Sequence, residues 1–141
     1  MKLLLTTIKT NNKQSSLALK YLYGVLADAP IDIEVRKYGR YETSPEIYES
    51  IMDGSYDLVY LHCDSENILR IRAIAQMLKK ASPETGILLG GMEVSFETQS
   101  FMRANPCVDY VIRGEGETVM YNFVKAVIER DYRFDKMAGL A

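Results

Sequence analysis

Cysteine and histidine are scarce in this chain, and neither forms a metal-binding pattern. The two cysteines, Cys63 and Cys107, lie far apart and make no CxxC pair. This spacing argues against a structural zinc site and against a disulfide framework. A cluster that needs four cysteines cannot be held by this chain alone. His62 is the only histidine, so it is the only imidazole available for ligation or proton transfer.

Strong net charge and long apolar segments are also absent. Basic and acidic residues number 17 and 19 and give a net charge of −2, so no nucleic-acid or membrane-binding footprint is evident. The longest apolar run is far shorter than the roughly 20 residues that cross a bilayer. The opening stretch MKLLLTTIKT has too brief an apolar part for a secretory signal. We therefore expect a cytoplasmic protein with no nucleic-acid or membrane partner.

The composition that is present is that of one globular domain. The chain has 141 residues, of which 48% are hydrophobic and 26% charged, close to the average for soluble domains. A domain of this length buries about two-thirds of its unfolded surface, which is enough for a core of its own.

Short apolar segments alternate along the chain with longer segments of helical periodicity. The predicted strands are KLLLTTI, IDIEVRKY, YDLVYLHC, ILLGG and VDYVI. Each is followed by a predicted helix, such as ENILRIRAIAQMLKKA after the third strand, or SPEIYESIMDGS with Ser44 as its cap after the second. Five such repeats predict an α/β fold: a three-layer, doubly wound, five-stranded parallel sheet of flavodoxin-like or Rossmann-like type, with strand order 2-1-3-4-5.

Ligands of such sheets bind at the carboxyl ends of the strands, beside the switch in strand order. The loop HCDSEN follows the third strand. His62 could bind a metal or donate a proton there, or it could be a hydrogen-bonded histidine at a strand end. Cys63 is most simply a small buried hydrophobe, and Asp64 and Ser65 most simply cap the next helix.

Paired and alternating glycines mark two more of these loops. Gly90 and Gly91 end the fourth strand, where they permit positive φ and a close approach by a flat or bulky group, although a plain turn is the alternative. The loop RGEGET after the fifth strand lacks the third glycine of a dinucleotide fingerprint and carries two glutamates. Those carboxylates would repel a phosphate, so amide or hydroxyl donors are better partners.

Two other classes of protein share this architecture and make different demands on the same loops. A phosphoryl-accepting receiver domain would need an acidic pair after the first strand and a lysine after the fifth; this chain has TTIKT and Arg113 in those places. A flavodoxin would need a hydroxyl-rich phosphate loop after the first strand. The stretch TIKTNNKQSS offers hydroxyls and lysines, so an FMN binder stays open.

Four stretches together resemble the cobalamin-binding domain found in front of radical SAM catalytic domains: LLLTT…SSLALKYL, DLVYLHCDSENILRIRAIAQMLK, ILLGGMEVSFE and VDYVIRGEGETVMYNFV. The resemblance runs in order over residues 1–130. Its most specific part is a strand that ends in Gly-Gly, a short helix, and then VDYVIRGEGE. Residues 131–141 then read as a tail, the start of a linker to a radical SAM domain that lies outside this chain.

The resemblance implies a corrinoid ring laid across the strand carboxyl ends, with its nucleotide tail running into the sheet. Carried onto this sequence, it implies the following cofactor-binding residues: Lys9, Thr10, Asn11, Ser15, Ser16, His62, Cys63, Asp64, Ser65, Gly90, Gly91, Met92, Glu93, Arg113, Gly114, Glu115, Gly116 and Glu117. The family usually has a Ser-x-Leu pattern after the third strand, where this chain has His62-Cys63-Asp64.

The resemblance also implies which part of the chemistry belongs to this chain and which to a partner domain. The Asp-x-His-x-x-Gly motif that supplies a lower cobalt ligand is absent, so no metal ligand is assigned, although His62 could substitute from another loop. The CxxxCxxC motif is absent as well, so S-adenosylmethionine and a [4Fe-4S] cluster would belong to a partner domain. The expected function is a cobalamin-binding module, not catalytic alone, that positions its cofactor for methyl transfer or related radical chemistry. The alternatives are a docking domain that has lost the cofactor, or the FMN binder.

Overall fold

The sheet has the predicted strands in the predicted order. The computed structural model describes residues 1–9 and 17–141. Its five strands are β1 (Lys2–Lys9), β2 (Asp32–Gly39), β3 (Leu58–His62), β4 (Gly86–Gly90) and β5 (Tyr110–Ile112). All neighbours are parallel, and the order β2-β1-β3-β4-β5 confirms the flavodoxin-like topology.

Helices cover both faces of this sheet, which confirms the three layers. In the described residues they are α1 (Leu17–Leu26), α2 (Ser44–Asp53), α3 (Ile68–Ala81), α4 (Met92–Ser95), α5 (Thr98–Ala104) and α6 (Glu117–Glu129). Leu3 and Leu5 of β1 pack in the core shared with α1 and α6, whereas Leu4 and Ile8 pack in the core shared with α2 and α3. Burial of alternate side chains on opposite faces explains why the central strands read as continuous apolar runs.

Two helix starts differ from the sequence prediction. The cap of α2 is Thr43 rather than Ser44: the Thr43 hydroxyl accepts the Glu46 N–H at 3.2 Å, and the Glu46 carboxylate accepts the Thr43 N–H at 2.7 Å. This reciprocal box needs Glu three residues after the cap, and only Thr43 has one. The one short helix predicted after the fourth strand is two helices, because Glu97 adopts a left-handed φ of 49° between α4 and α5.

Residues 131–141 pack back onto the sheet. The Val111 and Ala141 backbones exchange two hydrogen bonds of 2.9 Å each, so the outer edge of β5 is paired by a short antiparallel segment. Phe134 contacts Tyr110 and Phe123, with ring centroids 5.3 Å and 5.0 Å away. The domain boundary at residue 130 and the linker role of the tail stay predictions.

In residues 1–9 and 17–141, every helix is too short or too polar to cross a membrane. The cytoplasmic location stays a prediction.

Two adjacent threonines of β1 differ in whether their hydroxyls have hydrogen-bond partners. Thr6 is buried, and its Oγ1 has no hydrogen-bond partner within the described ranges. Thr7 donates from Oγ1 to the His62 carbonyl at 2.9 Å and accepts from the Asn67 side-chain amide at 3.3 Å. A buried hydroxyl without a partner costs free energy, whereas a paired one contributes it.

We expect Thr6→Val to raise the free energy of unfolding by up to about 1 kcal/mol, because a methyl group of the same shape replaces an unpaired hydroxyl. Thr7→Val is the matched control and should lower it by about 1–2 kcal/mol, because it removes the two hydrogen bonds of the Thr7 hydroxyl, to the His62 carbonyl and from the Asn67 amide. Urea denaturation of the three proteins measures both changes. Equal losses in the two variants would contradict this assignment of the hydroxyls.

Candidate ligand-binding cleft at the carboxyl edge of the sheet

A cleft of about 270 Å³ opens at the carboxyl edge, between α1 and the loop that leads from β5 into α6. Seven of the residues predicted for the site line it: His62, Gly91, Met92, Gly114, Glu115, Gly116 and Glu117. Five residues that the sequence prediction missed complete the lining: Ala18, Tyr21, Leu22, Tyr60 and Ile112. The edge of the sheet, the α1 start and the α6 start therefore form one concave surface.

The other predicted residues lie beside the cleft or outside the described ranges. Six of them are placed at the same edge without lining the cleft: Lys9, Asp64, Ser65, Gly90, Glu93 and Arg113. Cys63 is buried, and burial raises the pKa of its thiol. It therefore behaves as the small hydrophobe expected from the sequence. Thr10, Asn11, Ser15 and Ser16 fall outside the described residues.

Tyr60 and His62 form the floor of the cleft. They lie two residues apart on β3 and so face the same side of the sheet. The Tyr60 hydroxyl is 3.1 Å from His62 Nδ1, and Tyr60 is only 2% exposed. The sequence pattern did not identify Tyr60 as a site residue, because it lies in an apolar strand that is buried on both faces.

Burial fixes the protonation of both groups. It raises the pKa of Tyr60 far above its usual range, and it lowers the pKa of His62, with the nearby Asp64 carboxylate partly opposing the shift. Both side chains are therefore neutral at neutral pH. Among the described residues His62 is the one side-chain partner of the phenol. The arrangement that leaves no buried donor unpaired has Tyr60 donating to Nδ1, with the imidazole proton on Nε2.

The paired glycines are required by contacts within the domain. Gly91 has a φ of +108°, and a Cβ atom there would lie 2.1 Å from the Cys63 carbonyl oxygen. A Cβ atom on Gly90 would lie 2.3 Å from the Tyr60 hydroxyl oxygen. The groups that closely approach these two glycines therefore belong to β3 and to the turn after it. Gly91 also borders the cleft, so its backbone is open to a ligand on one side.

The loops after β4 and β5 are joined by Ser95, which the sequence prediction did not single out. Its hydroxyl donates to the Gly91 carbonyl at 2.8 Å and accepts the Gly114 N–H at 3.0 Å. Gly114 has a φ of +70° and open space where a side chain would be. This glycine therefore serves the turn, and it leaves the rim of the cleft bare.

The turn after β3 is built around Asn67, which is fully buried. Its amide nitrogen donates to the Ile8 and His62 carbonyls at 3.1 Å and 3.2 Å, and its oxygen accepts the Asp64 N–H at 2.8 Å. Asn67, rather than Asp64 or Ser65, occupies the cap position of α3. Asp64 instead closes the turn, because its Oδ1 accepts the Glu66 and Asn67 N–H groups at 2.8 Å each.

In the part of the chain that the structure describes, no group of three or more histidine, cysteine or carboxylate side chains could hold a metal ion. His62 is thus an isolated imidazole.

A parallel sheet of this order with a cleft at its carboxyl edge defines a ligand-binding domain of the flavodoxin-like class. The chain belongs to the B12-binding domain family, whose model, described as "B12 binding domain", matches residues 3–124. This finding confirms the resemblance drawn from the four sequence stretches.

The proteins to which this chain is similar are much longer, and the chain spans less than a third of each of the three that follow. An anaerobic magnesium-protoporphyrin IX monomethyl ester cyclase of Rubrivivax gelatinosus is 29% identical over 91 residues, which are 64% of this chain and 16% of the cyclase. The solved radical S-adenosylmethionine methyltransferase TsrM of Kitasatospora setae has a TM-score of 0.77 at 19% identity, over 98% of this chain and 28% of TsrM. The cobalamin-dependent S-adenosylmethionine radical enzyme OxsB has a TM-score of 0.76 at 16% identity, over 99% of this chain and 20% of OxsB. The two structural likenesses concern the fold.

We expect Gly91→Ala to lower the free energy of unfolding by about 2 kcal/mol or more, because alanine is strained at positive φ and its methyl group meets the Cys63 carbonyl. The matched control is Gly24→Ala in α1, where a Cβ atom meets nothing within 4 Å. That control should gain about 0.5–1 kcal/mol from the better helix propensity of alanine. Thermal or urea unfolding compares the two; a Gly91→Ala protein as stable as the native chain would contradict the close approach.

The lowered pKa of His62 makes stability depend on pH in a stated direction. In the unfolded chain histidine titrates near pH 6.5, so between that value and the lower folded pKa the unfolded state binds more protons. Stability should therefore fall as the pH drops through this window. His62→Gln should lose less stability than the native chain between about pH 7.5 and pH 5.5. Urea unfolding at both pH values measures this, and an equal loss in the two proteins would refute it.

Proposed function

We propose that this domain binds a corrinoid at the carboxyl edge of its sheet and positions it for the chemistry of a radical SAM enzyme. The observation that carries the proposal is the cleft, in which the loops after β3, β4 and β5 meet with glycines at the rim. Membership of the B12-binding domain family supports the choice of cofactor.

The cleft at the carboxyl edge of the sheet is better suited to contact the outer surface of a corrin ring than to enclose a ligand. A volume of about 270 Å³ is below the roughly 300–1,000 Å³ of pockets that enclose small molecules, so a macrocycle would rest on the edge. Met92 and Tyr21 border the cleft and are 69% and 55% exposed, which offers apolar contact to a flat ring. Glu115 and Glu117 can accept hydrogen bonds from the amide arms of a corrin.

Within this proposal the chain's own residues bind, orient and exclude water. The bound corrinoid would supply a cobalt centre that carries a methyl group or takes part in radical chemistry, while the protein sets its position. His62 as a cobalt ligand stays a prediction. Its Nδ1 is engaged by Tyr60, so Nε2 would bind cobalt only in the other tautomer, in which Nδ1 carries the proton and donates to the Tyr60 hydroxyl.

The partner in this proposal is a radical SAM catalytic domain, in the same polypeptide, that holds S-adenosylmethionine and the [4Fe-4S] cluster. Support comes from the cyclase, TsrM and OxsB, in which the matched region is 16%, 28% and 20% of the protein. The two cysteines of this chain are too few for such a cluster. Residues 131–141 would form the start of the connection.

A docking domain without cofactor is the second candidate, and one observation favours it. Tyr60 and His62 fill the floor of the cleft with bulky side chains, which reduces the room for a ligand. The FMN alternative depends on the loop of residues 10–16, which lies outside the described residues.

We expect the native chain to shift the absorption bands of hydroxocobalamin and to retain the colour through gel filtration. Ala18→Phe should weaken binding by about tenfold or more, because the added ring fills the cleft and forfeits one contact region. Ala27→Phe is the matched control, since Ala27 is an exposed residue in the turn after α1, and it should bind like the native chain.

Absence of retained colour in the native chain, at concentrations where a known cobalamin-binding domain retains it, would reject the corrinoid proposal and favour the docking domain. Binding by Ala18→Phe as tight as that of the native chain and of Ala27→Phe would place the corrinoid elsewhere on the surface.

A further inference from the structure

Tyr60 occupies the space in which the cleft would otherwise deepen. It belongs to the core cluster on the α1 and α6 side of the sheet, together with Leu22 and Ile112, and these three side chains also line the bottom of the cleft. The Tyr60 hydroxyl crosses to the neighbouring strand, where it lies 2.3 Å from the position of a Cβ atom on Gly90. The ring therefore spans from β3 to β4 directly beneath the opening.

The Tyr60 side chain is held in this place. Its hydroxyl is hydrogen-bonded to His62 at 3.1 Å, and it is surrounded by buried apolar side chains. Swinging the ring aside would break this bond inside the protein and would expose a large aromatic surface, both of which cost free energy. The closed floor is therefore a fixed part of the domain.

The rim of the cleft adds an electrostatic barrier to this steric one. Glu115 and Glu117 line the opening, and Asp64 lies close enough to His62 to affect its pKa. The basic residues among those predicted for the site are Lys9, at the end of β1, and Arg113, between Ile112 and Gly114, and neither of them lines the cleft. An anionic group that entered here would meet the like charges of these carboxylates.

A corrinoid consists of a flat ring with amide arms and, in its complete form, a nucleotide tail with a phosphate, a ribose and an aromatic base. Insertion of the tail between the sheet and the helices would need the volume taken by Tyr60, and the glutamates would only add to its cost. The ring with its amide arms does not need that volume.

We infer that Tyr60 closes this site to the nucleotide tail, so that the domain recognises a corrinoid by its ring and arms and leaves the tail outside the sheet. This inference rests on the proposed function. Its consequence is selectivity: a tail-free corrinoid is as good a ligand as the complete cofactor.

The test compares hydroxocobalamin with cobinamide, which has the same ring and no nucleotide, by spectroscopic titration of the native chain. The two dissociation constants should agree within about threefold. Tyr60→Ala opens the floor and should shift the ratio by about tenfold or more in favour of cobalamin, because the apolar base of the tail can then be buried. Tyr38→Ala is the matched control: Tyr38 is a buried tyrosine in the core on the other face of the sheet, and its replacement should keep the native ratio.

Tyr60→Leu serves if the alanine variant does not fold, because leucine keeps an apolar core and still removes the part of the ring that reaches Gly90. Preference of the native chain for cobalamin by more than about tenfold would overturn the inference and leave the proposed function standing. A ratio unchanged by opening the floor would also overturn it. Binding of neither corrinoid to the native chain would overturn the proposed function, and this inference with it.

Discussion

The buried amide of Asn67 fixes the geometry on which the site depends. It bonds to the Ile8 carbonyl near the end of β1, to the His62 carbonyl at the end of β3, and to the turn that follows β3. These two strands are adjacent in the sheet but are separated in sequence by β2, so the chain leaves their ends in opposite directions. Carbonyls at such a divergence lose their ladder partners, and a buried carbonyl without a partner costs about 1–3 kcal/mol. Asn67 supplies those partners and so sets where His62 and the following turn stand.

Contacts between the ends of the successive strands then form the cleft. Gly91 lets the β4 end approach the Cys63 carbonyl, and Ser95 ties that end to the loop after β5. The absent side chains at Gly91 and Gly114 thus have different causes: the first permits packing and the second permits a turn. Both leave backbone exposed at the same rim, so a single surface can meet structural needs and still receive a ligand.

Much of the fold could be predicted because the signals are local. Alternating apolar runs and amphipathic helices gave the five repeats, and the parallel order followed from the need for crossovers. A rule about strand ends predicted that His62, Gly91 and the glycine-glutamate loop lie together, and they do line one cleft. Their role in cofactor binding stays a prediction. The cap of α2 was wrong by one residue because a serine beside a proline matches the pattern as well as Thr43 does, until the partner Glu46 is considered.

The rest of the site depends on relations that a single sequence does not display. In sequence, Tyr60 is one of several apolar residues of its strand. Only the register between β3 and β4 shows that its side chain extends beneath Gly90. Asn67 has the pattern of an ordinary polar residue ahead of a helix, although one of its partners, the Ile8 carbonyl, is 59 positions away. Ser95 bridges two loops that are 19 residues apart. Such long-range contacts follow from the folded arrangement, so periodicity cannot reveal them.

The short antiparallel segment beside β5 also bears on self-association. An unpaired strand edge is a template for another chain, and proteins protect such edges by pairing or by charge. Here β5 is covered through Leu140 and its neighbours, while the opposite edge, β2, carries Glu34, Arg36 and Lys37. Growth of the sheet by aggregation is thereby discouraged at both sides, which leaves the helices and the loops of the carboxyl edge as the surfaces through which any partner would dock.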